Sequence, residues 1–234
     1  MALLWWSIGL FAAFALMGVL IAVNPGSPFT QPLDDWWRGV IGASPDSGLY
    51  RTALPMLFQE LGQIGGAILT MIVIPAALAI MGRWRSMLFF LSTSLVGALL
   101  FAQTMKNLVD RPRPAADAAL GLYAPLFQVD HGSFPSGHAV TAGALVFGIA
   151  ALIPASRHIA RRTWWIIGAL LMIGMIWQRT LINAHWLSDT VVGLAAGASA
   201  ALLMWWAFWP LIRSDYGRPV WFLHRSTSTA PATN

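Results

Sequence analysis

Three short stretches of the 234-residue chain carry side chains that could hold an anion and move a proton. Lys106 to Pro114 reads KNLVDRPRP, Ser133 to His138 reads SFPSGH, and Gln178-Arg179 is followed by His185 and Asp189. In the first, Lys106 offers a point charge and Arg111 and Arg113 offer planar donor forks, and both kinds of cation suit phosphate oxygens. Pro112 and Pro114 end the helix and stiffen the loop. Anchoring to lipid head groups would use the same cations. In the second stretch the chain turns at Pro135 and enters a helix, whose unpaired N–H groups make an anion site. Gly137 allows close approach to the backbone. Ser136 can cap the helix or donate to the same anion, and His138 can give or take a proton near neutral pH. The plainer alternative is a helix cap beside a satisfied histidine. In the third, His185 and Asp189 share a face if a helix begins near His185. The carboxylate could then keep one imidazole nitrogen protonated and aim the other outward, which makes His185 a candidate nucleophile. Arg179 adds a further cation. A structural His–Asp pair is the alternative.

These residues need elements to position them, and composition says what those elements are. Hydrophobic residues make up 57% of the chain and charged residues 10%, against about 25% charged in soluble domains. The solvent for most of this surface is lipid. With no Cys, disulfides, thiolate nucleophiles and Cys-ligated metals are excluded. Six segments approach the roughly 20 apolar residues of a spanning helix: Ala2–Val23, Leu61–Met81, Met87–Met105, Ser136–Pro154, Thr163–Gln178 and Thr190–Ile212. The first is expected to be a retained span, because no basic residue precedes it and no small-x-small cleavage site ends it. Pro75 should kink the second. The fourth and fifth are short, so polar residues at their outer ends should be recessed.

Arg83, Arg85, Arg157, Arg161, Arg162, Arg213, Arg218 and Arg225 fall on the side of the two termini, and only Arg38 and Arg51 on the other once the cluster cations are set aside. The positive-inside rule makes the first side cytoplasmic. All three clusters then lie on the outer side of a plasma (inner) membrane. The expected fold is all-α: an integral membrane six-helix bundle with both termini cytoplasmic. It forms one domain over 1–225, with an outer loop at 24–60 and a motif region at 106–189. A disordered cytosolic tail follows at 226–234. The outer loop, with its Trp36-Trp37 pair, reads as an interfacial helix, or else as a lid or lipid-entry wall.

Several other residues invite a role. Glu60, with Gln59 and Gln63, sits at the outer end of the second span and either pairs with an Arg or faces outer water, or else lines a head-group pocket. Arg111 either pairs with Asp110 or neutralises a second phosphate. Asp130 and His131 precede the second stretch and either tune it or belong to a solvated loop. Gly193 and Gly197 form a Gly-x-x-x-Gly that serves packing within the bundle or a homodimer.

Taken together, Lys106-x6-Arg113-Pro114, Pro135-Ser136-Gly137-His138 and Arg179-x5-His185-x3-Asp189 resemble the three motifs of the type 2 phosphatidic acid phosphatase family, the membrane lipid phosphatases. The motifs cover Lys106 to Asp189, and the six-span layout extends the likeness over nearly the whole chain. One position departs: the family usually has Ser before the third-motif Arg, where this chain has Gln178, whose amide can still bond phosphate. The resemblance implies that His185 attacks phosphorus while Asp189 holds its tautomer. His138 protonates the leaving oxygen and then activates water against the phosphohistidine. Lys106, Arg113, Arg179, Ser136 and the Gly137 amide bind the phosphoryl oxygens. Positioned cations and donors stabilise a phosphoryl group in transfer. The nearby carboxylates, Asp110, Asp117, Asp130 and Asp189, are scattered, so no metal or other cofactor is expected. The implied substrate is a lipid phosphate in the bilayer: a polyprenyl pyrophosphate, phosphatidic acid or phosphatidylglycerol phosphate. No nucleic-acid partner is expected. A lipid phosphotransferase using the same intermediate and a non-catalytic membrane scaffold are the alternatives. Vanadate-dependent haloperoxidases share the motifs but are soluble, which this composition opposes.

Overall fold

A computed structural model describes residues 1–130, 132–218 and 220. His131, Arg225 and the expected tail at 226–234 lie outside them. The described residues form helices and connecting loops, with one isolated β-bridge between Asp117 and Leu122 and no strand. In chain order the helices are α1 (Ala2–Val23), α2 (Gln31–Ile41), α3 (Ala53–Leu61), α4 (Ile64–Ile80), α5 (Trp84–Leu108), α6 (Gly137–Leu152), α7 (His158–Leu181) and α8 (Leu187–Asp215).

Four of these, α1, α5, α7 and α8, are long and apolar enough to cross a membrane. α3 and α4 qualify as a pair bent by 52°. α6 has 16 residues, or about 24 Å at 1.5 Å per residue, short of a hydrocarbon core of about 30 Å. At least one of its ends therefore stops short of a membrane surface. The expected kink at Pro75 is not where the second span bends. The bend falls at Gly62-Gln63, between α3 and α4. Pro75 comes two residues after the end of a π-helical turn, Leu69–Val73, and such a widened turn accommodates a residue that lacks an N–H.

α8 is the central post and packs most extensively on α6 and α1. Small residues bring α6 and α8 together: a Cβ on Gly197 would stand 2.0 Å from the Val140 carbonyl oxygen, and one on Gly193 2.8 Å from that of Ser136. The Gly-x-x-x-Gly face is thus consumed inside the bundle, and a second copy cannot use it. On the other flank Ser7 and Ser199 each donate a hydroxyl to the other's carbonyl at 2.9 Å, tying α1 to α8. A second π-helical stretch, Val96–Gln103, lies inside α5. It shifts the register so that Ala98, Ala102, Gln103 and Lys106 face one cavity. The outward faces of α1, α5 and α7 expose Trp5, Trp6, Leu99, Leu100, Leu170 and Ile173. So continuous an apolar surface suits a lipid environment.

α2 lies within the loop at 24–60 and is polar inward. Its buried residues are Asp34 and Arg38, while Leu33, Trp36 and Val40 are exposed. Trp37 donates its indole N–H to Thr180 at 3.0 Å, which holds α2 against α7.

Candidate active site

Lys106, Arg113, Gly137, His138, Arg179 and His185 line one cavity of about 380 Å³. Residues from all three sequence clusters therefore converge. Lys106 comes from the last turn of α5, His138 from the first turn of α6, and Arg179 from the last turn of α7. His185 sits in the turn between α7 and α8. That turn is tight: Asn183 has φ of 56°, a left-handed conformation that Asn tolerates better than most residues. The N–H groups of Ala184 and His185 both reach back to the Arg179 carbonyl, at 3.2 and 3.3 Å.

The His185 ring is buried and fixed at both nitrogens. Nδ1 lies 2.8 Å from the Ser133 carbonyl oxygen. A carbonyl only accepts, so Nδ1 carries the proton and Nε2 keeps the lone pair. Nε2 accepts from Arg113 Nη1 at 3.2 Å. Burial pushes the imidazole down to about 4 against the pull of the Asp189 carboxylate, with Arg179 and Arg113 adding to the fall. The ring is neutral at physiological pH, as a nitrogen nucleophile must be.

Asp189 orients His185 less directly than expected. Its Oδ2 is 3.7 Å from His185 Nδ1, beyond hydrogen-bond range. That oxygen accepts instead from the Ser133 hydroxyl and from the Trp186 N–H at 3.0 Å. Ser133 is the relay: its hydroxyl binds Asp189 and its carbonyl holds the imidazole. Oδ1 of Asp189 accepts from Arg111 Nη1 at 2.7 Å.

Arg111 corrects both sequence readings. It is completely buried, does not pair with Asp110 and does not line the cavity. It bridges two buried carboxylates, Asp34 at 2.8 Å and Asp189. Asp34 is 154 residues before Ser188, so no local pattern announces the pair.

His138 packs on the backbone at the α3–α4 break, where a Cβ on Gly62 would lie 1.7 Å from its Cδ2. Its Nε2 is buried with no protein partner. In a cavity lined by three cations, that nitrogen is left to serve a ligand. Ser136 is less available than expected. Its hydroxyl accepts from the Ala139 N–H at 3.4 Å and its own N–H donates to the Asp189 carbonyl at 3.1 Å. It caps α6 behind the cavity wall, whereas Gly137 lines the cavity.

Arg179 is buried, donates from Nη1 to Gln59 Oε1 at 2.7 Å, and leaves its Nε without a partner. Gln178 donates to the same Gln59 oxygen at 3.0 Å and does not line the cavity. Glu60 is exposed and outside the cavity, because the bend at Gly62 turns Gln59 and Gln63 inward instead. Asp130 is the one cavity carboxylate among the described residues. It contacts Lys106 at 3.2 Å and Arg113 at 2.5 Å. Burial would raise its carboxyl, but Lys106 and then Arg113 hold it below the usual range. Burial likewise lowers the Arg113 guanidinium, against the pull of Asp130. Among the described residues no group of three or more His, Asp or Glu could hold a metal ion.

The profile of the PAP2 superfamily matches residues 87–213, more than half of the chain. The chain belongs to the PAP2 superfamily. The lipid A 1-phosphatase of Rhizobium etli is 33% identical over 117 residues, covering 49% of this chain and 47% of that protein. The lipid A 1-phosphatase of Rhizobium johnstonii is 33% identical over 131 residues, covering 51% and 50%. The chain spans about half the length of these curated relatives. A transmembrane PAP2-type phosphatidylglycerolphosphate phosphatase from Bacillus subtilis has a similar fold. Its TM-score is 0.67 at 20% identity, over 91% of this chain and 98% of that one. With several apolar helices in this PAP2 fold, the chain is a multi-pass membrane protein.

Sequence reasoning assembled the cations and histidines and named Gln59, Ser133 and Asp130 without the contacts they make; Asp34 it missed. Asp34 carried no usable signal, because Arg38, one turn later on the same inward face, offers an apparent local partner.

Proposed function

We propose that this PAP2 protein is a lipid phosphatase working through a phosphohistidine. The observation that carries the reading is His185 Nε2. It bears a lone pair, faces a cavity holding Lys106, Arg113 and Arg179, and has its other nitrogen pinned to a carbonyl. A phosphoryl dianion entering the cavity takes over the Arg113 fork and frees Nε2. Nε2 then bonds to phosphorus as the P–O bond to the lipid breaks. His138 gives its proton to the departing oxygen. Water next attacks the phosphohistidine, His138 takes the water proton, and inorganic phosphate leaves while Nε2 recovers its lone pair. Lys106, Arg113, Arg179 and the Gly137 amide balance charge on the phosphoryl oxygens through both steps. No step requires a metal.

On this proposal the chain is a six-span unit in which the short α6 completes the set. The termini are cytoplasmic, and the cavity opens to the outer leaflet of the plasma membrane. Beside the cavity at Thr141 lies an apolar gap of about 10 Å³ lined by Phe58, Leu145, Leu171 and Met175, which must widen before it can take any part of an acyl or prenyl tail. The test is phosphate release by the purified protein, in chelator, from phosphatidic acid, phosphatidylglycerol phosphate, a polyprenyl pyrophosphate and lipid A. Release from at least one lone lipid supports hydrolysis. Transfer to a second lipid without free phosphate would make the protein a phosphotransferase, and loss of activity in chelator would overturn the metal-free step.

A further inference from the structure

Asp34 lies on α2, outside the segment that matches the superfamily, and the mechanism above does not use it. It is nevertheless among the most completely buried charged groups, 1% exposed. Oδ2 accepts from Arg111 Nη2 at 2.8 Å and from the Ser188 hydroxyl at 2.7 Å, and Oδ1 accepts from the Ser188 N–H at 2.8 Å. Arg111 reaches Asp189 with its other terminal nitrogen at 2.7 Å. One buried cation is thus shared by two buried carboxylates, and the group carries one net negative charge. Uncompensated buried charge is costly unless something nearby uses it. What lies nearby is His185, 3.7 Å from Asp189, with the Arg113 guanidinium on the ring's far nitrogen and also within the field of Asp189. With Nδ1 protonated and Nε2 bonded to phosphorus, the imidazole ring becomes a cation.

We propose that Asp34 is a positioning residue for the phosphohistidine step. It takes up part of the Arg111 charge, so that Asp189 keeps its own for the His185 ring. Without Asp34, Arg111 and Asp189 form a closed neutral pair and the ring cation loses its counter-charge. This inference rests on the reading of His185 as nucleophile. A merely structural Asp34 would pin α2 to the start of α8 and nothing more.

The experiment compares full-length Asp34→Asn, Asp34→Asn/Arg111→Gln and His185→Ala with the parent protein on one lipid phosphate. Asn keeps the shape of Asp34 and, with its one oxygen, can keep the bonds from Arg111 and the Ser188 hydroxyl; it removes the charge and the bond from the Ser188 N–H. The single variant should lose about tenfold in kcat with less than about a twofold change in KM. The double variant again holds one net negative charge at Asp189 and should recover several-fold over the single one. An alkaline quench should trap a smaller phosphorylated fraction of His185 in Asp34→Asn than in the parent, and this measurement decides the matter if the double variant does not fold. Parent-like kcat and trapped fraction in Asp34→Asn, or a folded double variant no better than the single, overturns the inference while leaving the nucleophile intact. An active His185→Ala overturns the phosphohistidine reading itself.

Discussion

Replacing Gly62 by Ala should disable the general acid without touching any ionisable group. Gly62 stands at the 52° break between α3 and α4, with its α-carbon hydrogen against the His138 ring. An added methyl would sit 1.7 Å from Cδ2, 2.1 Å from Cγ and 2.6 Å from Nε2, where ordinary contact begins at 3.4 Å. Ring or backbone must therefore retreat by about 1.7 Å. A misplacement of about 1 Å at a reacting group costs on the order of 100-fold, and a positioned general acid contributes about 10²–10⁴-fold. We expect kcat for a lipid phosphate to fall at least about 100-fold. KM should change little, because Lys106, Arg113 and Arg179 are untouched. An aryl phosphate, whose leaving group departs without protonation, should lose much less. Gly9→Ala on α1 is the control, since a Cβ there meets nothing within 4 Å. Parent-like turnover by Gly62→Ala on the lipid substrate, or an equal loss on lipid and aryl substrates, would refute the assignment of His138.

Other perturbations follow from the same geometry. The Asp130 carboxylate sits on two of the cavity cations, Lys106 and Arg113, with its side chain 66% exposed. Asp130→Asn should therefore tighten competitive inhibition by inorganic phosphate. The expected gain is roughly 1.4- to fivefold, as a partly exposed pair is worth ~0.2–1 kcal/mol, and weaker inhibition would count against this. The His185 ring, held at about 4 in the fold, titrates near 6.5 in an unfolded chain. The unfolded state then binds more protons below 6.5, so stability falls as pH drops from about 6.5 towards 4. The loss is on the order of 3 kcal/mol. Thermal unfolding across that interval should show a shallower decline in His185→Asn, and parallel curves would mean the ring is not buried neutral.

The parts legible in the sequence were those where a polar residue had no cheap place to be. Lys106, Arg179 and His185 stand out because charge at membrane depth needs a use, and all three line the cavity. The long apolar runs of α1, α5 and α8 were legible by length alone. What was not legible depended on distant packing. Nothing local distinguishes Gln59 from Glu60 until the break at Gly62 decides which one faces the cavity. Arg111 lies one residue from Asp110 yet pairs with Asp34 and Asp189, because folding α2 over the start of α8 makes a buried pocket for its guanidinium. Pro75 was the visible helix breaker, but the bend fell at a glycine where another helix comes close. Asp189 was correctly located near His185, but the Ser133 relay between them required the loop before α6 to be in place.

The most direct test of the account is to trap the covalent intermediate. The purified protein is incubated with a lipid carrying labelled phosphate, quenched in alkali and digested, and the labelled peptide is sequenced. The account predicts label on the peptide holding His185, absent from His185→Ala, with phosphate release abolished in that variant. Label on another residue, or continued phosphate release by His185→Ala, would contradict it.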